Sequence, residues 1–380
     1  MDEGCVGRRQ FLQMAGAAVA AVPIRAESQS QDDRPVRVGF VGVGGRGTAL
    51  LQAALKLPGV EVAAVCDVDS QARLRASERI QAAGRRKPDE IEDWKRLLER
   101  QDISAVISAL PCHLHYPNYR DALAARKHLY GEKPLCLTVE HADALVKQTE
   151  AAGVIFQVGF QRRFSRQLQD SVRTVRDGGI GRPFDGRGGR FAQKPIRNPG
   201  EWFSFRAQSG DWMLEQAVHN WDVLNWVLGE LPASAVGFGR QDLWRAHDPQ
   251  RDVSDYYTAT LHYRSGLNYT WVHSWLSPPD PLFSTTYEQL IGPRGAIDLA
   301  KGVVAPMPGG LEKGRQIPRD EGLDLTQAAL ESFFKCIRTG GWPAVGVREG
   351  RDATLVGLLV REAVYRGRLV TMDEVLRNRA

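Results

Sequence analysis

A lysine and a histidine in otherwise apolar surroundings could carry proton chemistry in this chain. Lys133 lies in the run Glu132-Lys133-Pro134, directly after a short, mainly apolar segment. A lysine at the end of a strand can donate a hydrogen bond to a substrate hydroxyl and stabilise negative charge that develops on its oxygen. His219 lies within the largely apolar residues 212–228. Because histidine titrates near neutral pH, it could take a proton from an alcohol.

The spacing of Glu215, His219 and Asp222 predicts that they share one face of a single helix over residues 212–228. The other positions of this segment are largely apolar, so the polar face must border a cleft or find its own hydrogen-bond partners. In that arrangement Glu215 could orient the imidazole of His219 or hold a second hydroxyl group. Each residue also has an alternative interpretation without a catalytic role. Lys133 could be a surface residue that precedes a proline, and His219 could be a core residue that is satisfied by hydrogen bonds.

The elements that would position these side chains begin with a glycine-rich turn. Residues 36–41 form a short apolar run that predicts a strand, and residues 48–55 predict a helix. Between them, Gly42, Gly44 and Gly47 have the spacing G-x-G-x-x-G. The first glycine permits a tight turn, the second lets the backbone approach a pyrophosphate, and the third lets the helix pack against the strand. The anion would then bind the free N–H groups at the start of the helix.

An acidic residue at the end of the next predicted strand extends this pattern. Asp67 follows residues 61–66 and lies twenty residues after Gly47, where a carboxylate would accept hydrogen bonds from the adenosine ribose. It would also repel a 2′-phosphate, which favours NAD over NADP, although Arg73 is near enough in the sequence to moderate that preference. Since the carboxyl ends of parallel strands share one cleft, other strand-end residues join the predicted nucleotide site. Its members are Gly42, Val43, Gly44, Gly45, Arg46, Gly47, Asp67, Pro111, His115, Glu132 and Lys133. The alternative is a glycine turn in an unrelated α/β unit.

Periodicity divides the rest of the chain into two predicted domains. Short apolar strands alternate with helices in residues 35–158, which predicts an α/β domain with a doubly wound parallel sheet. Residues 159–380 contain longer strands with alternating side chains, including a hairpin over 256–275, which predicts an α+β domain with a mainly antiparallel sheet. Two C-terminal helices, predicted at 325–338 and 351–366, could pack back on the first domain.

Residues 1–34 have the pattern of a targeting segment. Arg8 and Arg9 precede a Phe-Leu pair, and the alanine-rich run 14–22 is too short to span a bilayer as a helix. This pattern predicts a twin-arginine export signal and a linker, with an ordinary basic amphipathic N-terminus as the alternative. We therefore expect an exported, periplasmic protein without stable membrane association after processing. Such export carries folded proteins, so folding in the reducing cytosol would explain the lack of a disulfide framework.

The charge distribution and the cysteines exclude some classes of partner. The 380 residues include 50 Lys and Arg and 45 Asp and Glu, which are interspersed and give a net charge of +5. No block of basic residues is interleaved with aromatic residues, so we expect no nucleic-acid partner. The five cysteines form no C-x-x-C pair, so we expect no metal site.

Several of these motifs, in this order, resemble those of the Gfo/Idh/MocA oxidoreductases. They are the turn at 42–47, Glu132-Lys133-Pro134, Asp177-Gly178-Gly179-Ile180-Gly181, and the segment His219-x-x-Asp222 followed by Trp226-Val227-Leu228-Gly229. The resemblance covers the chain after residue 35. It implies an N-terminal Rossmann-type sheet, a C-terminal domain with a large open sheet, and a substrate cleft between them. It also places the family's lysine at Lys133 and its catalytic histidine at His219.

The resemblance implies a function as well. Family members mostly oxidise or reduce hydroxyl groups of sugars, inositols or related polyols with a nicotinamide cofactor. The candidate catalytic residues are therefore Lys133, Glu215 and His219, and Arg163 joins them as a candidate substrate-binding residue. Glu215 stands where the family usually has an aspartate and reaches one methylene further. The open sheet implies a homo-oligomer. Two alternatives are an NAD-dependent glycosidase that oxidises its substrate transiently, and a non-catalytic NAD-binding regulator.

Export and NAD binding together lead to one more expectation. Outside the cytoplasmic membrane there should be no ready pool of NAD with which an enzyme could exchange. We therefore expect a tightly held cofactor that returns to its starting redox state within each cycle.

Overall fold

The computed structural model describes residues 35–192, 200–307 and 314–377. The predicted export signal and linker, residues 1–34, lie outside the described residues. No helix within the described ranges is long and apolar enough to cross a membrane.

A six-stranded parallel sheet occupies the first part of the chain. Its strands are β1 (Val36–Val41), β2 (Val60–Cys66), β3 (Asp89–Ile91), β4 (Ala105–Ser108), β5 (His128–Gly131) and β6 (Phe156–Val158). The helices are α1 (Gly45–Leu55), α2 (Ser70–Ala82), α3 (Trp94–Leu98), α4 (His115–Ala124) and α5 (Val139–Ala152). The spatial order is β3-β2-β1-β4-β5-β6, and every pairing is parallel. The side chains of β4 are buried on both faces, as a sheet covered by helices on both sides requires. The predicted doubly wound sheet is confirmed.

A nine-stranded, mainly antiparallel sheet follows. Its strands are β7 (Asp185–Phe191), β8 (Ser234–Arg240), β9 (Tyr256–His262), β10 (Asn268–Ser274), β11 (Thr286–Gly292), β12 (Gly295–Asp298), β13 (Val303–Pro306), β14 (Arg315–Gln316) and β15 (Val370–Thr371). The order is β14-β13-β12-β11-β7-β10-β9-β8-β15, with β7 and β10 parallel. Buried and more accessible residues alternate along β9 and β10, so one face is covered by helices and the other is open. The predicted α+β fold with its hairpin is confirmed.

The second part of the chain also contains helices. They are α6 (Arg166–Arg176), α7 (Arg206–Ser209), α8 (Trp212–Glu215), α9 (Val218–Leu228), α10 (Leu325–Thr339), α11 (Val347–Arg366) and α12 (Met372–Arg377). Helices α9 and α11 pack on one face of the larger sheet. Trp221 of α9 packs edge-to-face on Trp271 of β10, with ring centroids 5.4 Å apart. The prediction of one continuous helix over 212–228 is wrong, because the segment is divided into α8 and α9.

Helix α10 returns to the parallel sheet. Leu330, Phe333 and Phe334 share a buried cluster with Leu50 of α1 and Tyr130 of β5. The guanidinium of Arg338 also donates to the backbone carbonyls of the turn before β2. The core of the parallel sheet is thus completed by residues from near the end of the chain.

Candidate active site

The turn between β1 and α1 requires glycine at two of its three motif positions. Gly42 has φ +81°, and a Cβ there would lie 2.5 Å from the carbonyl oxygen of Ala109. A Cβ on Gly47 would lie 1.9 Å from the carbonyl oxygen of Gly42. Gly44 is exposed, and a Cβ there would meet nothing within 4 Å. No side chain caps the start of α1, so its first N–H groups are available to an anion such as a pyrophosphate.

Asp67 lies at the end of β2, beside this turn. Its carboxylate accepts hydrogen bonds from the backbone N–H groups of Val43 at 2.9 Å and Asp69 at 3.0 Å. The guanidinium of Arg73 donates to the Asp67 carbonyl at 2.6 Å. Asp67 therefore fixes the glycine turn in addition to any contact with a ribose.

Arg46, an expected nucleotide-binding residue, bonds to protein groups in the structure. Its Nε donates to Oε1 of Glu132 at 2.7 Å, and its Nη1 donates to the hydroxyl of Thr326 at 3.1 Å. Glu132 is almost fully buried, whereas the side chain of Arg46 is 32% exposed. Arg46 thereby ties the first turn of α1 to the segment that carries Lys133.

His115 also bonds to the backbone rather than presenting a free ring nitrogen. Its buried imidazole lies 2.6 Å from the carbonyl of Pro134 and 2.9 Å from that of Leu110. Burial lowers the pKa of His115. Pro111, another expected member, is half-buried immediately before a short 3₁₀ turn. These contacts join the end of β4 to the end of β5.

Lys133 and Glu215 form an ion pair at the centre of the site. Nζ of Lys133 lies 2.9 Å from Oε1 of Glu215, and the two side chains are only 13% and 8% exposed. Burial is the largest influence on the pKa of Lys133 and would lower it, but the surrounding groups, first of all the carboxylate of Glu215, together outweigh burial and the net shift is upward. Lys133 is therefore a permanent cation and hydrogen-bond donor at neutral pH.

The same ammonium group explains why the predicted helix is interrupted. In a continuous helix the N–H of His219 would bond to the carbonyl of Glu215, four residues earlier. In the structure Lys133 Nζ donates to that carbonyl. The N–H of Ala217 instead bonds to the carbonyl of Trp212, at 2.8 Å. Glu215 and His219 therefore belong to different helices, and the carboxylate of Glu215 bonds to Lys133 and Gln216 rather than to the imidazole.

His219 is held neutral at the start of α9. Burial lowers its pKa well below the ordinary value, and nearby cations, first Lys133 and then Arg162, lower it further. Its ring packs edge-to-face on Phe160, with centroids 5.8 Å apart. Nδ1 is buried and has no hydrogen-bond partner among residues 35–192, 200–307 and 314–377. The imidazole can accept a proton but carries none of the site's positive charge.

Arg163, the expected substrate-binding arginine, is engaged by Asp222 of the His-x-x-Asp motif. Its Nε and Nη2 both donate to the Asp222 carboxylate, the shorter bond being 2.7 Å. The guanidinium also lies over the ring of Trp226, 5.1 Å from its centroid. This pair anchors α9 to the segment after β6, and a contact between Arg163 and a substrate stays a prediction.

Sequence reasoning missed two polar groups beside this pair. The guanidinium of Arg162 bonds to the buried carboxylate of Glu288 in β11, which also accepts from the amide of Asn220. The sequence did contain a signal for Glu288, because it is an acidic residue at a position of β11 where the alternation of side chains predicts burial. Glu288 and Asn220 together fasten α9 to the sheet.

A double-mutant cycle on Lys133 and Glu215 tests the central ion pair. Lys133→Met should lower the free energy of unfolding by about 3–5 kcal/mol, since it leaves a buried carboxylate without its cation. Lys133→Met combined with Glu215→Gln should recover much of that loss. Chemical denaturation at pH 7 measures all variants, with the exposed Lys147→Met as control. Strictly additive effects of the two substitutions would contradict the pairing.

Two sequence profiles match this chain. Residues 36–160 match the GFO_IDH_MocA profile, described as "Oxidoreductase family, NAD-binding Rossmann fold". Residues 169–298 match a second one, "GFO/IDH/MocA C-terminal domain".

Individual proteins similar to the chain agree with that match. The myo-inositol 2-dehydrogenase of Thermotoga maritima is 25% identical over 358 residues, which cover 90% of this chain and all of that protein. A glycosyl hydrolase family 109 protein of Shewanella sp. strain ANA-3 is 30% identical over 231 residues, 53% of this chain and 50% of that protein. The structure of a levoglucosan dehydrogenase complexed with NADH and levoglucosan superposes with a TM-score of 0.76, at 18% identity, covering 89% of this chain and all of the other. The last similarity establishes the fold.

The profiles together span about two thirds of the chain and include the parallel sheet and strands β7 to β12 of the larger sheet. This chain belongs to the Gfo/Idh/MocA family of oxidoreductases and has the family's NAD-binding Rossmann fold.

Proposed function

We propose that this oxidoreductase acts on a hydroxyl group of a sugar, inositol or related polyol and holds its NAD tightly. The observation that carries the proposal is the opposite direction of two pKa shifts in one site. The pKa of Lys133 is raised and that of His219 is lowered. Environments that separate the pKa values of neighbouring groups assign the donor and the acceptor of a proton-transfer reaction.

Each side chain then has one part in alcohol chemistry. Lys133 stays protonated, so it donates a hydrogen bond to the substrate oxygen and stabilises negative charge there. His219 stays neutral, so it accepts the hydroxyl proton during oxidation and returns it during reduction. Because Nδ1 of His219 is buried, Nε2 is the nitrogen that exchanges this proton.

The nucleotide-binding end of the site fits NAD. The uncapped start of α1 suits the pyrophosphate, and the open position at Gly44 leaves space for its approach. The carboxylate of Asp67 suits the ribose hydroxyls and disfavours a 2′-phosphate. Bound NAD supplies the hydride acceptor or donor for the carbon that bears the reacting hydroxyl.

The similar proteins support the substrate class. One is named for an inositol and another was crystallised with levoglucosan, a carbohydrate. A glycosidase that oxidises its sugar transiently is the second candidate, favoured by the similarity to a glycosyl hydrolase family 109 protein. A non-catalytic regulator is disfavoured, because it would have no use for the opposed protonation states of Lys133 and His219.

The twin-arginine pattern supports an exported enzyme. Arg8 and Arg9 lie outside the described residues, so this part of the proposal depends on the sequence. An exported enzyme cannot draw on cytoplasmic NAD, which is why we propose that the hydride returns to the substrate, or to a second sugar, within each cycle.

His219→Ala should reduce turnover about a hundredfold or more while NAD binding persists, since the proton acceptor is lost. Product analysis with a panel of sugars, inositols and glycosides measures turnover, because a hydride that returns within each cycle leaves no NADH to accumulate. The exposed His262→Ala on the open sheet face is the control.

In the wild-type enzyme the acidic limb of kcat/KM should lie well below pH 6.5, because the pKa of His219 is lowered. Near-normal turnover of His219→Ala, or an acidic limb at pH 6.5 or above, would remove His219 from this role.

The export signal is tested by replacing both Arg8 and Arg9 with lysine. The folded precursor should then remain in the cytoplasm, whereas Arg25→Lys should be exported normally. Cell fractionation and immunoblotting measure the distribution. Normal arrival of the double variant in the periplasm would show that the segment is not a twin-arginine signal.

Cofactor retention is tested on the purified mature protein. Denaturation should release about one equivalent of NAD or NADH per chain, and turnover of a suitable sugar should proceed without added nucleotide. Chromatography of the supernatant identifies the nucleotide. A protein that is purified empty and needs stoichiometric added NAD would contradict retention while leaving the oxidoreductase assignment intact.

A further inference from the structure

Arg190 lies on the helix-facing side of the larger sheet, near the end of β7. In the sheet register it is paired with His273 of β10 and Thr286 of β11. Gly188, two residues earlier, is on the same face, and a Cβ there would lie 2.8 Å from the ring of Trp271. The glycine leaves space for that indole under α9, and Arg190 is the first long side chain beyond it.

Arg190 belongs to the lysine–histidine site. It is one of four cations whose charges lower the pKa of His219. The charge that acts most strongly on Arg190 itself is the carboxylate of Glu215. The charge of Arg190 and the charges of the lysine–histidine site therefore act on one another.

Arg190 differs from the other three cations in having no carboxylate partner. The other pairs are Lys133 with Glu215, Arg46 with Glu132, and Arg162 with Glu288. Among residues 35–192, 200–307 and 314–377, no carboxylate lies within ion-pair distance of Arg190. Residues 193–199, which follow directly in the sequence, include Lys194 and Arg197 but no acid. Since the neighbouring anions of the described residues are already paired, Arg190 has a positive charge that no described carboxylate balances.

Unpartnered polar groups lie next to this guanidinium. Arg190 is half-buried over the ring of Trp275, with its Cζ 5.6 Å from the centroid. His273, whose ring centroid is 5.1 Å from that of Trp275, is buried, and its Nε2 has no partner in the described part of the chain. The indole Nε1 of Trp275 is likewise buried without a partner among those residues. Buried polar atoms of this kind are normally satisfied, so these two atoms have hydrogen-bonding capacity that the described residues do not use.

We propose that Arg190 binds a carboxylate carried by the substrate, which makes the substrate an acidic sugar such as a uronic or aldonic acid. This inference rests on the proposed function and names the substrate class within it. A guanidinium binds a carboxylate through two parallel hydrogen bonds, and its single charge matches a monoanion. A phosphate would bring a charge of about −1.5 to −2 at pH 7 and leave an excess of negative charge beside Glu215.

Matched sugar pairs test the proposal on the intact, NAD-loaded protein. We expect kcat/KM to be about tenfold to a hundredfold higher for D-glucuronate than for D-glucose, and for D-galacturonate than for D-galactose, because a charge-assisted hydrogen bond is gained. Arg190→Gln should abolish this preference, and Arg190→Lys should restore part of it. Arg187→Gln, on the same strand but at an exposed position, is the matched control and should keep the preference.

A binding measurement separates this inference from the proposed function. D-glucuronate, titrated at constant ionic strength, should change the fluorescence of the wild-type protein, and Trp275→Phe or Arg190→Gln should remove that change. Turnover of neutral sugars without a preference for acids would overturn the inference and leave the proposed function standing. Preference for D-glucose 6-phosphate over D-glucuronate would also overturn it. Saturable glucuronate binding that depends on Arg190, without turnover of any sugar, would support the carboxylate site and reject the proposed function.

Discussion

The ammonium group of Lys133 donates to both the side chain and the backbone carbonyl of Glu215, and much of the site follows from these two bonds. The bond to the carboxylate keeps the lysine charged in a buried place. The bond to the carbonyl ends α8 and separates it from α9. His219 then lies in the first turn of a separate helix, α9, where the charges of several cations act on it. Its neighbours in the sequence are apolar and do not indicate these charges.

The start of α8 is fixed from the other side by Asp211. This residue has φ +68°, a conformation that costs a non-glycine residue about 1–3 kcal/mol. Its buried carboxylate accepts hydrogen bonds from the backbone and hydroxyl of Ser254, both at 3.0 Å, and from the hydroxyl of Tyr365 at 2.6 Å. Gly357 of α11 adds a close approach, since a Cβ there would lie 2.9 Å from the carbonyl of Met213. Glu215 is therefore placed by three separate parts of the chain.

How much of the fold and of the site could be predicted depends on how far apart in the sequence the interacting residues lie. The glycine turn and the strand–helix alternation are local patterns, so the sequence indicates them directly. The ion pairs are different, because Arg46 and Glu132 are 86 residues apart and Arg163 and Asp222 are 59 apart. Residue type identified these arginines as binding candidates, but their partners depend on tertiary packing. The helix interruption also could not be foreseen, since helical periodicity carries no information about a lysine 82 residues earlier.

The packing of α10 on α1 and β5 has a consequence for the order of events in synthesis. Leu330, Phe333 and Phe334 fill the core of a sheet whose first strand begins at Val36. While the ribosome is still translating, the parallel sheet has exposed apolar surface on that side and cannot close. Contacts of such long sequence separation also form slowly. The nucleotide-binding domain can therefore complete its core only after α10, more than 280 residues beyond the start of β1, has been made.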